Sequence, residues 1–342
     1  MNLLPFRAIF PNTKKYSFVL NQDKLYVNDT PLHTINKKKY YQYLLEKYNS
    51  DYFSKTSDEC IYLAKKESLN CSSIGIVAKI NINALYGNKL VLHEETIRDK
   101  EIEYQEDLNK FNTLTSPLIL GHKDSLEISH YYNKIMRNKH DIKIGTLNDN
   151  YYFWKLTNHE LINAYFSNFE KFLVADGHHR ISSLKKLRKK IYAHAFFISE
   201  NTLHSKNIIR HYNKHVTANV LKTLEQKHDM QPVIHPIRNN KYIMLSHKGK
   251  ISKLNSQNIS LMRLFLKDTY NELSKDKINF KNKPVKLSNF RLNTQTALYI
   301  PAMMYRDLID NNLIFPPHST HFEPKLHNGI ISFSGCIERK LT

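Results

Sequence analysis

Short apolar or alternating runs punctuate this chain, most of them closed by turn residues, and a few segments between them carry helical spacing. Residues 6–10 read as a strand ended by Pro11 and Asn12, and two more alternating segments surround Val19 and Tyr26. Tyr40, Tyr41, Leu44, Leu45 and Tyr48 fall at helical spacing within a Lys/Tyr-rich stretch from 37 to 48. Residues 61–63 and 74–82 predict paired strands, and 89–92 a strand leading into His93-Glu94-Glu95-Thr96. The charged run 97–111 predicts an exposed helix with an apolar stripe of Ile97, Ile102, Leu108 and Phe111, stopped by Pro117. Further on, helices are expected over 126–138 and 161–169, and strands over 151–156, 172–175 and 193–198.

The 172–175 run leads straight into Asp176-Gly177-His178-His179-Arg180 and then a helix over 181–188. From about 207 the pattern turns helical, over 211–228 and 261–273, interrupted by a hairpin at 242–251 with Lys248-Gly249 at its turn. The expectation is a mixed α/β fold in two parts, residues 1–205 as the core and 206–342 as a helical lobe with a C-terminal return segment.

Composition changes this picture little. With 342 residues, 41% of them hydrophobic, the chain can bury a sizeable core. Three widely spaced cysteines, Cys60, Cys71 and Cys336, form no metal or disulfide pattern and fit a reducing compartment. The start has neither the charged region nor the apolar stretch of a signal peptide, and no run reaches membrane-spanning length, so the expected location is the cytoplasm. Lys and Arg exceed Asp and Glu by 51 − 31 = 20. The excess is mostly lysine scattered among Asn, Ile and Tyr, concentrated only at 37–39 and 185–190. Small anionic ligands are therefore expected as partners ahead of nucleic acid.

Chemistry concentrates at 176–180. A strand delivers the chain to a sheet edge, Gly177 permits a tight turn, and the helix N-terminus behind it favours an anion. Arg180 can fork onto phosphate oxygens, and His178 and His179 can donate or accept protons. Asp176 would repel a phosphate, so it suits a magnesium ligand or a base near the phosphate's target. At a pocket mouth Arg180 should carry ligand affinity and little fold stability. The plain alternative is an Asp-Gly turn with solvated histidines.

Two other motifs extend the candidate site. In the 93–96 motif, Glu94 can act as a general base for a hydroxyl, His93 can bond a phosphate, and Thr96 can cap the following helix. Glu94 and Asp176 each end a predicted strand, so they are expected to face one pocket. The alternative is a helix start enriched in acids. Near the end, Pro316-Pro317 fixes an extended approach, with Ser319, Thr320 and Lys325 as lid contacts over an anion or, alternatively, as parts of a surface turn. Arg210 offers a second cation on a helix face.

The stretch Val174-Ala175-Asp176-Gly177-His178-His179-Arg180 resembles the signature of free serine kinases in the ParB/sulfiredoxin-like superfamily. The chain resembles more closely a widespread uncharacterised bacterial family of that kind. Pro5-Phe6-Arg7-Ala8, the 93–96 motif, Ser116-Pro117 and the 176–180 turn recur in order. Residues 315–320, Phe322, Pro324-Lys325 and Gly329 complete the series. The family's Pro-Tyr-Asp-Val stretch is absent from 12–60, and His318 stands where a basic residue is usual.

The resemblance implies a ParB/sulfiredoxin-like nucleotide-binding core using ATP or ADP with Mg2+, and a phosphotransferase acting on a small hydroxyl compound, with free serine as the suggested acceptor. Gly177, His178, His179, Arg180, His93 and Thr96 would hold nucleotide and phosphates, Asp176 the metal, and Glu94 the reacting proton. Arg7, Arg210, Ser319, Thr320 and Lys325 would touch substrate or form the lid. A ParB-like nucleotide-responsive binding protein without turnover and a small-molecule phosphatase are the alternatives.

Overall fold

The computed structural model describes residues 2–21, 24–27, 43, 47, 51–69, 71–86, 89–187, 190–212, 217–234, 236, 241–248, 250–274, 280–284 and 296–338. The helix expected over 37–48 falls almost entirely outside them, as do Gly249 and part of the 185–190 basic run. Two compact units divide the chain. The first comprises Met1–Val91, Ile97–Leu203 and Pro324–Thr342, and the second Leu92–Thr96 with His204–Glu323. The 93–96 motif thus belongs to the second unit, whereas Lys325 and the residues after it belong to the first.

Among the described residues, the first unit is built on an eight-stranded mixed sheet. Its order is Ile142–Gly145, Asp149–Leu156, Ile61–Ser68, Cys71–Asn81, Tyr192–Ser199, Leu118–His122, Phe172–Asp176 and Leu90–Val91. Neighbours run antiparallel except Leu118–His122 with Tyr192–Ser199 and Phe172–Asp176 with Leu90–Val91. The continuous apolar runs occupy the middle: Leu118–His122 is buried throughout, and so is Tyr192–Ser199 apart from its ends. Such runs suit strands covered on both faces. Asp149–Leu156 sits nearer an edge and alternates buried and half-buried positions along most of its length.

The helix Arg98–Phe111 packs against the helix His178–Lys186. Ser183 Oγ donates to Glu101 O at 3.0 Å, and Ser182 and Lys186 both bond the Glu101 carboxylate. Of the expected stripe Leu108 is buried, whereas Ile102 is 43% exposed, because the buried Glu101 takes the inward position beside it. A smaller sheet pairs Ala8–Pro11 with Phe53–Lys55 on one side and Ser332–Ser334 on the other, the last also pairing Thr113–Leu114.

Among the described residues, the second unit holds a six-stranded antiparallel sheet with the helices Ala218–Lys227, Ile259–Ser274 and Tyr305–Asn311, where a helical lobe was expected. The helix expected over 211–228 starts only at Ala218. Ile208–Tyr212 is a central strand between Phe280–Pro284 and Thr296–Ile300. β-Branched Ile208 and Ile209 fit a pleated, buried surface, and Ile209 joins Met244, Ile251, Ala297 and Tyr299 in the core.

Candidate functional site: a glycine turn clamped by two cations

The strand Phe172–Asp176 ends at Asp176, and Gly177 in the left-handed region (φ 109°) starts the helix His178–Lys186. Gly177, the residue at the helix start, has no side chain of its own to cap it. Its first-turn N–H groups lack intrahelical carbonyls, as at any helix N-terminus, and the positive end of the dipole lies there. Glycine is required here by conformation, and a β-carbon would in addition come within 2.5 Å of Leu118 Cδ2, a side-chain end that would have to shift. Gly177→Ala is expected to cost about 1–3 kcal/mol from backbone strain alone, read as a lowered thermal midpoint of the Trp154 fluorescence transition. An unchanged midpoint would show that the turn relaxes freely.

Asp176 is held by two cations: Lys325 Nζ donates to Oδ1 at 2.7 Å, and Arg180 Nη2 bonds Oδ2. Burial by itself would raise this carboxyl, but the Lys325 and Arg180 charges hold it well below the usual carboxylate range. Arg180 does not stand at a pocket mouth. It is 6% exposed, and its Nη1 donates to Ser116 O at 2.7 Å, Ser116 Oγ at 2.9 Å and Pro117 O at 2.9 Å. Its forked geometry is spent on the protein itself, because a buried guanidinium must find acceptors wherever the backbone offers them.

His178 is buried and His179 half-buried, not solvated, and burial pushes their imidazoles down to about 3 and about 4. Both are therefore neutral at physiological pH. His179 Nε2 accepts the Ile97 N–H at 3.1 Å. Ile97, and not Thr96, is thus the residue at the start of the helix Arg98–Phe111, and no side-chain bond of its own caps that end.

Magnesium on Asp176 does not fit these residues. Both carboxylate oxygens carry a protein cation, and no cluster of three His, Cys, Asp or Glu side chains able to hold a metal occurs among the described residues. A further cation would meet the repulsion of the Lys325 and Arg180 charges already on this carboxylate.

Glu94 lies in the second unit, its segment paired in parallel with Phe315. Its carboxylate is buried and accepts the Thr320 N–H at 2.6 Å, the Thr320 hydroxyl, and the His318 N–H at 3.1 Å. Burial raises its proton affinity, opposed by these bonds and by the charge of Arg210. His318 takes a left-handed conformation (φ 59°) within this turn.

His93 is fully buried, with Nε2 bonded to Thr320 Oγ1 at 2.8 Å, so its place is inside the fold and not on a phosphate. Ser319 is likewise buried and donates to Pro316 O at 2.7 Å. The 315–320 segment is an internal turn organised around a carboxylate, not a surface lid. Arg210 is no solvated helix residue: it is wholly buried on its strand and donates to His318 O at 2.9 Å. Arg7 is exposed.

Several family landmarks acquire physical reasons here. Ser116 and Pro117 receive Arg180, and Gly329 (φ 87°) donates its N–H to Thr115 O at 2.8 Å. No short motif marked Lys66 or Asp149, buried on neighbouring strands of the first unit.

Fold and site together define a mixed α/β protein with a strand–glycine–helix turn whose Asp176 carboxylate is paired with Lys325 and Arg180. The chain belongs to DUF1015, a family of proteins of unknown function, whose model matches residues 19–264. No match was found among curated proteins. Several solved structures resemble it at 12% identity, three of which follow. SbnI from Staphylococcus aureus, truncated at its C-terminus, matches over 74% of this chain and 85% of its own with a TM-score of 0.45. A free serine kinase in complex with AMP matches over 76% and 92% with a TM-score of 0.45. A mutant free serine kinase in complex with ADP covers the same shares with a TM-score of 0.48. Among the described residues no helix is long and apolar enough to cross a membrane.

Proposed function

We propose that this protein binds a nucleotide phosphate at the 176–180 turn and transfers a phosphoryl group to a small hydroxyl compound, free serine being the first acceptor to test. The observation that carries the proposal is the strand–glycine–helix turn at Gly177, with Lys325 and Arg180 both on Asp176. With His178 and His179 neutral, these three charged groups sum to one positive charge, which together with the helix dipole suits a phosphate. Gly177 and the first-turn N–H groups would touch the phosphate, and Lys325, whose side chain is 27% exposed, would share it with Asp176. Arg180 would brace the turn, and His178 and His179 would line it as neutral groups.

Glu94 is the proposed base, a buried carboxylate whose proton affinity burial raises. Catalysis would rest mainly on positioning and charge neutralisation, as in phosphoryl transfer generally. A nucleotide-responsive protein without turnover is the second reading, favoured by the three hydrogen bonds that already engage the Glu94 carboxylate.

Calorimetry with ATP and ADP, followed by phosphorus NMR of reactions with serine and other hydroxy acids, tests both. In Glu94→Gln, turnover should fall by at least a hundredfold, on the order expected for loss of a general base, with nucleotide affinity retained. A Gln amide would also set a donor against the Thr320 or His318 N–H, loosening the 315–320 turn by about 1–3 kcal/mol. Faster amide hydrogen exchange there with unchanged turnover would make Glu94 a clamp and remove it from the chemistry. Absence of nucleotide binding in the wild-type protein would overturn both readings.

A further inference from the structure

A second buried polar cluster lies in the first unit, with no role in the chemistry above. Tyr151 stands opposite Lys66, and Asp149 opposite Ser68, on two antiparallel strands. Lys66, Asp149, Tyr151 and His327 are 6%, 7%, 0% and 8% exposed. Lys66 Nζ lies 3.6 Å from Asp149 Oδ2, and Ser68 Oγ donates to Asp149 Oδ1. The Tyr151 hydroxyl donates to Asp149 Oδ2 at 3.3 Å and is hydrogen-bonded to His327 Nδ1. A buried ammonium and carboxylate are unfavourable unless paired and fully bonded, and an apolar pair would hold two strands together as well. What the polar version adds is geometry.

That geometry falls on the C-terminal segment. Lys66 Nζ donates to the Lys325 carbonyl at 3.2 Å, while Tyr151 takes hold of the His327 side chain. Two attachments two residues apart fix the register of the segment, leaving the Lys325 side chain to run to Asp176 Oδ1 at 2.7 Å. A slip of one residue would take that ammonium away. We propose that Lys66, Asp149, Tyr151 and His327 are positioning residues that deliver the Lys325 ammonium to Asp176 and so supply the surplus positive charge at the glycine turn. Asp176 and Arg180 cancel, so without Lys325 the turn is electrically neutral. The placing of Lys325 stands by itself; its effect on phosphate rests on the proposed function.

Amine acylation of the folded protein, read by mass spectrometry, tests the placing. Lys325 should react slowly beside exposed Lys171. In Lys66→Met its rate should rise about tenfold, as for loss of roughly one charge-assisted hydrogen bond, with Lys171 unchanged. If that variant does not fold, as judged by Trp154 emission, Tyr151→Phe keeps the ring and removes one hydroxyl, and a rise of at least about threefold is expected from a weaker neutral bond. Unchanged Lys325 reactivity in a folded variant overturns the proposal.

Calorimetry with ADP forms a separate arm. A variant with reactive Lys325 should bind ADP about tenfold more weakly, the factor for one charge-assisted bond, and full ADP affinity in such a variant overturns the charge-supplying role. If the wild-type protein binds no ADP, the nucleotide reading fails, and the acylation result alone decides whether the cluster places Lys325.

Discussion

Arg180→Ala is expected to destabilise the first unit by about 3–5 kcal/mol, the range for breaking a buried ion pair. The substitution removes the partner of Asp176 Oδ2 and every Nη1 bond to Ser116 and Pro117. Lys325 would then carry the Asp176 charge alone. Urea denaturation followed by the fluorescence of Trp154, the single tryptophan, 7% exposed and within the first unit, reads the change directly. A folded variant with stability within about 0.5 kcal/mol of wild type, the ordinary scatter for surface sites, would place Arg180 on a ligand and not in the fold. Any loss of nucleotide affinity in this variant has to be measured where the unit is still folded, because binding and folding are linked.

Acid should weaken the same unit well above the carboxylate range. Burial lowers the imidazoles of His122 to about 4 and of His178 and His194 to about 3. His122 lies against Phe166 and Phe169, and His194 against Phe6 and Phe333. In the unfolded chain these groups bind protons near pH 6.5, whereas in the fold they stay neutral. The stability is thus fully present above about pH 6.5 and is lost as pH falls towards their folded values. At pH 5 each group withdraws about 2 kcal/mol, together roughly 6 kcal/mol, a large share of an ordinary domain's total.

Asp176 adds to the loss only below about pH 4, since its depressed folded value acts beneath the usual carboxylate range. Glu94 works in the opposite sense, its raised folded value favouring the folded state as pH falls, but it belongs to the second unit. Urea denaturation read by Trp154 emission should therefore show stability falling by roughly 6 kcal/mol between about pH 7 and 5, the window set by the histidines. Stability unchanged between about pH 7 and 5, the window where unfolded histidines take up protons, would mean that the histidines are charged in the fold.

The strand–glycine–helix element was legible because three independent local signals agree there: an apolar run, a glycine, and an apolar helical stripe. The central strands were legible for the same reason, being apolar without interruption. The direction of the charged side chains was not. Arg180 lies four residues after Asp176, and that spacing permits an internal pair as readily as two ligand contacts. Its acceptors, Ser116 and Pro117, are more than sixty residues away in sequence. Arg210 was misread because the flanking residues carry both helical and strand periodicity, and tertiary burial decided for the strand. Lys66, Asp149 and His327 carry no pattern at all: a buried charge looks like a surface charge until its partners are in place.

The strand Ser332–Ser334 inserts between Ala8–Pro11 and Thr113–Leu114, joining the two extremes of the described sequence within one sheet. During synthesis the ribosome must therefore make the whole second unit before the first can close. Through that interval Ala8–Pro11 waits with one edge unpaired, and Asp176 waits for Lys325. Exposed edges of this kind recruit chaperones or neighbouring nascent chains, and such long-range closure is slow. Translation stalled after residue 323 should accordingly yield a first unit that is protease-sensitive, and release of the remaining residues should make it resistant.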